Sequence, residues 1–118
     1  MAVSPRGQAA GRAFWERRHM RKSDVDRPSS PQTMAAQLEA RRKSQEVQGE
    51  RFAELKAITQ PTLVVNGNND VMIPTINSFT LWQHIPDAQL IIYPDSGHAS
   101  LFQYPDLFLS HARIFLNE

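Results

Sequence analysis

Residues 61–74, PTLVVNGNNDVMIP, contain the stretch that decides the fold of this 118-residue chain. Segment 62–66 joins β-branched and apolar residues without polar alternation, which is typical of a strand buried on both faces of a parallel sheet. In the turn that follows, Gly67 can supply a positive φ, and the turn leads to Asp70. The next residues predict a helix that ends near His84. The pattern therefore predicts a buried strand, an acidic loop and a helix in succession.

The following residues repeat this order of elements. Segment 89–93 (QLIIY) predicts a second buried strand, segment 94–98 a turn that contains His98, and Pro105 the first residue of a last helix. Strand–helix–strand–helix order is typical of a right-handed parallel βαβ unit, whose strands end at the same edge of the sheet. Open α/β sheets place their sites at that edge. We therefore expect the side chains of Asp70 and His98 to meet there.

An aspartate beside a histidine is the acid–base part of a nucleophilic site. The carboxylate accepts a hydrogen bond from one ring nitrogen, and the other nitrogen is then free to take a proton from a nucleophile. Taken alone, an Asp and a His in loops favour a solvated turn aspartate and a surface histidine over a site, so the pair needs support from the segments around it. Asp95 is the rival acid, but it lies in the same turn as His98 and is expected to shape that turn through backbone hydrogen bonds.

The first half of the chain differs in charge and pattern from the second. Residues 1–57 carry 12 Lys and Arg against 7 Asp and Glu, whereas residues 58–118 carry one Arg against 5 Asp and Glu. Glutamates interleave with the basic residues and no nucleic-acid-binding motif is present, so solvated helical faces are favoured over phosphate contacts. The sequence therefore predicts two pieces of different character.

Three helices are predicted in the basic half. The first covers residues 8–20, the second begins at Pro31 with Ser30 as its N-cap, and a short third covers residues 50–57. The apolar contacts of the first helix are predicted to be Phe14, Trp15 and Met20. These helices hold too few apolar residues to close a core of their own, and we expect them to lie on another part of the protein.

Composition excludes several classes of site. The chain has no cysteine, which excludes disulfides, thiol nucleophiles and Cys-ligated zinc. No two histidines have metal-ligand spacing, so no metal site is expected. His84 is expected to bind the last carbonyls of its helix, His111 to be packed or capped by a neighbour, and His19 to be solvated. Without a leader-like or membrane-spanning apolar run, a cytoplasmic location is expected.

Two segments resemble the α/β-hydrolase superfamily. Residues 61–74 have its order of apolar strand, Gly, two residues, Asp and, four residues later, Pro; residues 90–108, LIIYPDSGHASLFQYPDLF, resemble its last strand and histidine loop. The resemblance covers residues 58–118, and residues 1–57 are similar to the tail of the cap that the family inserts before this strand. It implies an α/β fold, namely the C-terminal β-α-β-α portion of the hydrolase parallel sheet preceded by a helical cap-like segment.

The resemblance also implies a function. Asp70 would be the triad acid and His98 the base of a cofactor-independent serine-type hydrolase that cleaves ester, amide or similar bonds in a small-molecule substrate. The family's Gly-x-Ser-x-Gly nucleophile motif does not occur in these 118 residues, and neither Ser96 nor Ser100 lies on a strand-to-helix elbow. We therefore expect the chain to be inactive by itself. The alternative is a non-catalytic interaction module or truncated remnant derived from a hydrolase.

A sheet of two apolar parallel strands leaves its edges and faces unprotected. The missing N-terminal half of the core, a partner chain or a second copy of this chain is expected to cover the sheet edge. We predict that the isolated 118 residues aggregate or form oligomers. Size-exclusion chromatography tests this prediction, and a compact monomer with a cooperative melt would contradict it.

Overall fold

The computed structural model describes residues 4–44, 46 and 49–117. They form six helices and two strands in the following order: α1 (Pro5–Met20), α2 (Pro31–Ser44), α3 (Ala53–Lys56), β1 (Thr62–Gly67), α4 (Ile76–His84), β2 (Ala88–Tyr93), α5 (Ser100–Gln103) and α6 (Pro105–Leu116). The predicted strand–helix–strand–helix order is confirmed, with the short helix α5 as an unpredicted addition after β2.

The two strands form a parallel pair joined by α4. Their register runs from Thr62 opposite Ala88 to Gly67 opposite Tyr93. The backbone N–H of Thr62 donates to the carbonyl of Asp87 at 2.8 Å, which fixes the start of the pair. Because the strands are parallel and in register, the loops that carry the predicted acid and base leave the sheet at the same edge.

Gly67 is required for space rather than for an unusual backbone conformation. The prediction of a positive φ at this residue is wrong, since Gly67 ends β1 outside the left-handed region. A Cβ at this position would lie 2.2 Å from the carbonyl oxygen of Ser96 and 2.5 Å from that of Gly97. Glycine therefore allows the end of β1 to touch the backbone of the loop that follows β2.

The core between the sheet and its helices is small. Its buried apolar side chains among the described residues are Val64, Ile85 and Tyr93. Asn66 and Ser78 add a buried polar contact between β1 and α4, in which Asn66 Nδ2 donates to Ser78 Oγ at 3.0 Å. The hydrogen bond matters because an unpaired buried amide would destabilise the fold.

Many apolar side chains face outward. Ile76, Phe79 and Trp82 of α4 are exposed, and Leu116 of α6 is 78% exposed. Two strands offer too little sheet surface to cover both helices. The Cα radius of gyration is 16.8 Å, whereas a compact chain of this length has about 13–14 Å.

The first helix begins earlier than predicted because Ser4 caps it. Ser4 Oγ accepts a hydrogen bond from the N–H of Gly7 at 3.1 Å, and Pro5 takes the first helical position. Phe14 stacks on Phe102 of α5 with the ring centroids 5.3 Å apart. Trp15 is exposed, so its predicted apolar contact is wrong. The same holds for Met20.

The other two N-terminal helices make little use of their apolar residues. Every side chain from residue 31 to residue 43 of α2 is exposed, including Met34 and Leu38. The third helix is shorter than the predicted 50–57, because Phe52 adopts a left-handed conformation with φ 68° immediately before α3. Phe52 instead packs against the ring of His84 at a centroid distance of 4.2 Å.

Candidate active site

The predicted acid and base lie side by side where β1 and β2 end. His98 Nδ1 lies 2.9 Å from Asp70 Oδ2, within hydrogen-bond distance. The Asp70 side chain is 1% exposed and that of His98 is 50% exposed. The structure therefore places a buried carboxylate behind a histidine ring that opens toward solvent.

The acid loop uses the two carboxylate oxygens of Asp70 for different purposes. Oδ1 accepts hydrogen bonds from the backbone N–H groups of Met72 at 2.9 Å and Ile73 at 3.0 Å. Thr75 Oγ1 donates to the carbonyl of Gly67 at 2.6 Å and accepts from the N–H of Asp70 at 3.3 Å. The loop thereby fixes one oxygen by itself and leaves Oδ2 for the histidine.

This arrangement selects one form of the His98 ring. An ionised carboxylate only accepts hydrogen bonds, so the ring nitrogen that faces Asp70 Oδ2 must carry a proton. The neutral ring then has its lone pair on Nε2, which makes no hydrogen bond within the part of the chain that the structure describes. A neutral Nε2 of this kind is able to accept a proton from a hydroxyl placed against it.

The environment of Asp70 favours its ionised form. Burial raises the pKa of the carboxyl, but hydrogen bonds from the N–H of Ile73, from His98 and from the N–H of Met72 together hold the pKa below its usual value. Asp70 therefore remains a carboxylate at neutral pH and is suited to orient an imidazole.

The lowered pKa predicts a dependence of stability on pH. In the unfolded chain an aspartate has a pKa of about 3.9, so the contribution of Asp70 is complete above that pH and is lost as the pH falls through the lower pKa of the folded state. Above about pH 5, Asp70→Asn is expected to reduce the free energy of unfolding by about 2 kcal/mol, the size of a hydrogen bond to a charged group. Urea titrations from pH 3 to pH 7 measure the difference, which should shrink as the pH falls. A constant difference would contradict the assignment.

The histidine loop is tied to the acid loop through Ser96. The N–H of Asn69 donates to the carbonyl of Ser96 at 2.9 Å, and the N–H of Ser96 donates to Asn68 Oδ1 at 3.3 Å. Ser96 Oγ donates to the carbonyl of Tyr93 at 2.9 Å, and the residue has no accessible surface. Its hydroxyl is thus used for holding the loop, and within the described residues it makes no hydrogen bond to His98.

The remaining candidates have other partners. The carboxylate of Asp95 accepts hydrogen bonds from the N–H and Oγ of Ser4, not from His98. The backbone at Asp95 is left-handed with φ 48°. His84 Nδ1 binds the carbonyl of Thr80 at 2.8 Å, one turn back in α4 and not one of the last four carbonyls of the helix as predicted. As predicted, His111 Nδ1 binds a neighbour, the hydroxyl of Tyr93 at 2.8 Å, and His19 is exposed. His19 Nδ1 lies 2.7 Å from the carbonyl of Trp15.

Sequence reasoning missed the residues that hold the two loops together. Thr75 was not singled out, although a threonine before a helix is a recognised capping signal. Its hydroxyl joins both ends of the acid loop. Asn68 and Asn69 carried only a turn signal. The contact of Ser4 with Asp95 spans 91 positions, and no local pattern could have indicated it.

Metal and membrane sites receive no support from the described residues. Within residues 4–44, 46 and 49–117 no three His, Asp or Glu side chains are grouped so that they could hold a metal ion. None of the helices in these ranges has the length and apolarity needed to cross a bilayer.

Comparisons with known proteins find relatives of this chain. A family model described as "TAP-like protein" matches residues 25–116. A pimeloyl-(acyl-carrier protein) methyl ester esterase of Nitrosomonas europaea is 35% identical over 83 residues, which are 70% of this chain and 31% of the esterase. A 2-hydroxymuconate semialdehyde hydrolase of Pseudomonas putida is 35% identical over 65 residues, or 55% of this chain and 23% of that enzyme.

A solved structure matches the whole chain. An alpha/beta hydrolase fold protein from Chitinophaga pinensis superimposes with a TM-score of 0.90 at 36% identity, and the match covers 100% of this chain and 42% of that protein. The chain thus spans less than half the length of these relatives. The matched family model, the sequence identities and the superposition together show that this chain belongs to the α/β-hydrolase superfamily.

Proposed function

We propose that this chain supplies the acid and the base of a serine-type α/β-hydrolase, with Asp70 as the acid and His98 as the base. The hydrogen bond of 2.9 Å between His98 Nδ1 and Asp70 Oδ2 carries the proposal. The buried carboxylate orients the ring, and the exposed half of the ring leaves Nε2 open to a hydroxyl.

The chemistry follows from this geometry. His98 Nε2 takes the proton of a serine hydroxyl while the serine oxygen attacks the carbonyl carbon of the substrate. The imidazolium that forms is stabilised by Asp70, and it then protonates the leaving alcohol or amine as the bond to the carbonyl carbon breaks. A water molecule attacks the acyl-enzyme by the same route and releases the acid and the free serine. No step requires a cofactor.

The nucleophile must come from outside these residues. No Gly-x-Ser-x-Gly motif occurs in the 118 residues, and the relatives are more than twice as long as the part they share with this chain. We propose that the rest of a hydrolase core, in the same protein or in a partner chain, supplies the serine and the oxyanion hole and covers the open sheet. The names of the relatives favour esters and related bonds in small molecules as substrates.

The transcript upstream of the Met1 codon provides the first test. An in-frame Gly-x-Ser-x-Gly motif supports a complete hydrolase, whereas a stop codon close upstream requires the nucleophile to come from a second chain. The protein that contains the motif and this chain is then assayed with p-nitrophenyl esters. His98→Ala is expected to lower kcat/KM at least about 10³-fold, because a triad without its base retains little of its rate. His19→Ala, at an exposed histidine, is the control and should change nothing.

A non-catalytic interaction module is the second candidate. The missing nucleophile motif and the exposed apolar residues of α4 and α6 favour it. Under this alternative, no protein containing the chain hydrolyses the esters, and the chain binds a partner equally well with His98 or Ala at position 98.

A further inference from the structure

We propose that Ser4 is a positioning residue for His98, and that α1 thereby fixes the base from the cap-like segment. The proposal rests on the proposed function only in giving His98 the role of base. Ser4 lies outside the residues that the family model matches. The proposal is therefore argued from the contact between Ser4 and Asp95 in the structure.

Ser4 binds both oxygens of one carboxylate in the histidine loop. Its N–H donates to Asp95 Oδ1 at 3.0 Å, and its hydroxyl donates to Asp95 Oδ2. The same hydroxyl accepts the hydrogen bond from the N–H of Gly7 that caps α1. The end of the helix and the loop three residues before His98 are therefore joined through one side chain.

The other end of α1 holds the far side of the same loop. Arg17 Nη2 donates to the carbonyl of Phe102 at 2.8 Å, and Phe14 stacks on the Phe102 ring. Gln103 Nε2 donates to the carbonyl of Asp95 at 2.8 Å and closes the segment on itself. Helix α1 thus contacts the chain on both sides of the base, before it at residue 95 and after it at residue 102.

The base needs such support because its own anchoring is slight. The His98 ring is half exposed. Within the described residues, the hydrogen bond to Asp70 is the one hydrogen bond that holds the ring. Asp95 has a left-handed backbone, a conformation that residues other than glycine adopt less readily, and the hydrogen bonds from Ser4 hold the side chain of Asp95 in place. A small displacement of the loop would separate Nδ1 from Oδ2, and triad geometry tolerates little displacement.

The test observes the His98 ring in a soluble preparation of the protein that contains this chain. With ¹⁵N-labelled histidine at about pH 8.5, where an ordinary imidazole is neutral, ring-nitrogen chemical shifts report which nitrogen carries the proton. In Ser4→Ala, the ratio of Nδ1-protonated to Nε2-protonated His98 is expected to fall about tenfold, the effect of losing one hydrogen bond. The rings of His84 and His111 should keep their signals and serve as internal references.

The matched control removes a helix cap that does not touch the loop. Ser30 caps α2 through the N–H of Thr33 at 3.1 Å, so Ser30→Ala loses the same kind of cap and should leave the His98 ratio unchanged. Ser4→Thr keeps the hydroxyl and should restore the ratio. Asp95→Asn retains one acceptor and tolerates the left-handed backbone. It should give a smaller change in the same direction, and it provides the answer if Ser4→Ala does not fold.

Two results would overturn the proposal. In one, Ser4→Ala and Asp95→Asn lower the melting temperature, but the ratio of Nδ1-protonated to Nε2-protonated His98 stays the same as in the control Ser30→Ala. In the other, all histidine rings change together, which indicates general loosening. The melting temperature and the His98 ratio are both measured without catalysis. The proposed function can therefore fail in the ester assay while the positioning role of Ser4 holds, and the positioning role can fail while the ester assay supports the proposed function.

Discussion

Asparagine in place of Asp70 is expected to lower kcat for ester hydrolysis about 10⁴-fold in the hydrolase that contains this chain. The asparagine Oδ1 can still accept from the N–H groups of Met72 and Ile73, so the acid loop keeps its shape. The amide nitrogen, however, replaces the oxygen that faces His98 Nδ1. Because an amide NH₂ donates, the ring must offer a lone pair there, and its proton moves to Nε2, where it blocks acceptance of the serine proton.

Asp87→Asn is the control for this prediction. Asp87 is exposed and lies at the opposite edge of the sheet, where its carbonyl binds the N–H of Thr62. The variant should hydrolyse p-nitrophenyl esters at the wild-type rate. Asp70→Asn should leave KM nearly unchanged, since the acid does not touch the substrate. A loss of less than tenfold in kcat would show that Asp70 is not the acid of the site.

Gly67→Ala is expected to reduce the free energy of unfolding by about 3 kcal/mol, at the upper end of the range for overpacking. The added Cβ would meet two backbone carbonyls, 2.2 Å and 2.5 Å away, rather than flexible side chains. Those carbonyls belong to Ser96 and Gly97, directly before the candidate base. The clash is relieved only if the histidine loop moves off β1, which breaks the hydrogen bonds between Ser96 and the acid loop.

Gly11→Ala is the matched control, since it adds the same methyl group in α1. A Cβ at Gly11 meets nothing within 4 Å, and alanine favours a helix interior over glycine by about 0.5–1 kcal/mol. Urea unfolding followed by circular dichroism should therefore show opposite signs for the two variants. Equal stability of Gly67→Ala and wild type would mean that the two loops are not in tight contact.

Local sequence patterns correctly predicted the strands and the first residues of two helices. Segments 62–66 and 89–93 are mostly apolar and lack polar alternation, and both form strands of the parallel pair. Helices α2 and α6 begin at Pro31 and Pro105. Proline is favourable at the first helical position, because the N–H that it lacks has no partner within the helix there. These features depend on neighbours along the chain. The parallel order of the strands also follows from connectivity, which is why the meeting of Asp70 and His98 could be expected before any geometry was known.

Predictions that depended on burial succeeded less well. Trp15 and Met20 were predicted to be apolar contacts of the first helix, yet both are exposed. Periodicity indicates which face of a helix is apolar, but it does not say whether a second surface lies against that face. Within the described residues the sheet has two strands, so part of each apolar helix face lacks a surface that would cover it.

The sequence by itself determined the family, the order of the elements and the pairing of Asp70 with His98, because motif spacing and strand connectivity are properties of the chain. Only the tertiary structure decided which carboxylate oxygen faces the ring, why residue 67 must be glycine, and that Ser4 holds the loop of the base. Each of these depends on atoms brought together by folding from distant positions. Hydrogen bonds and steric contacts act over a few ångströms in space, whatever the separation along the chain.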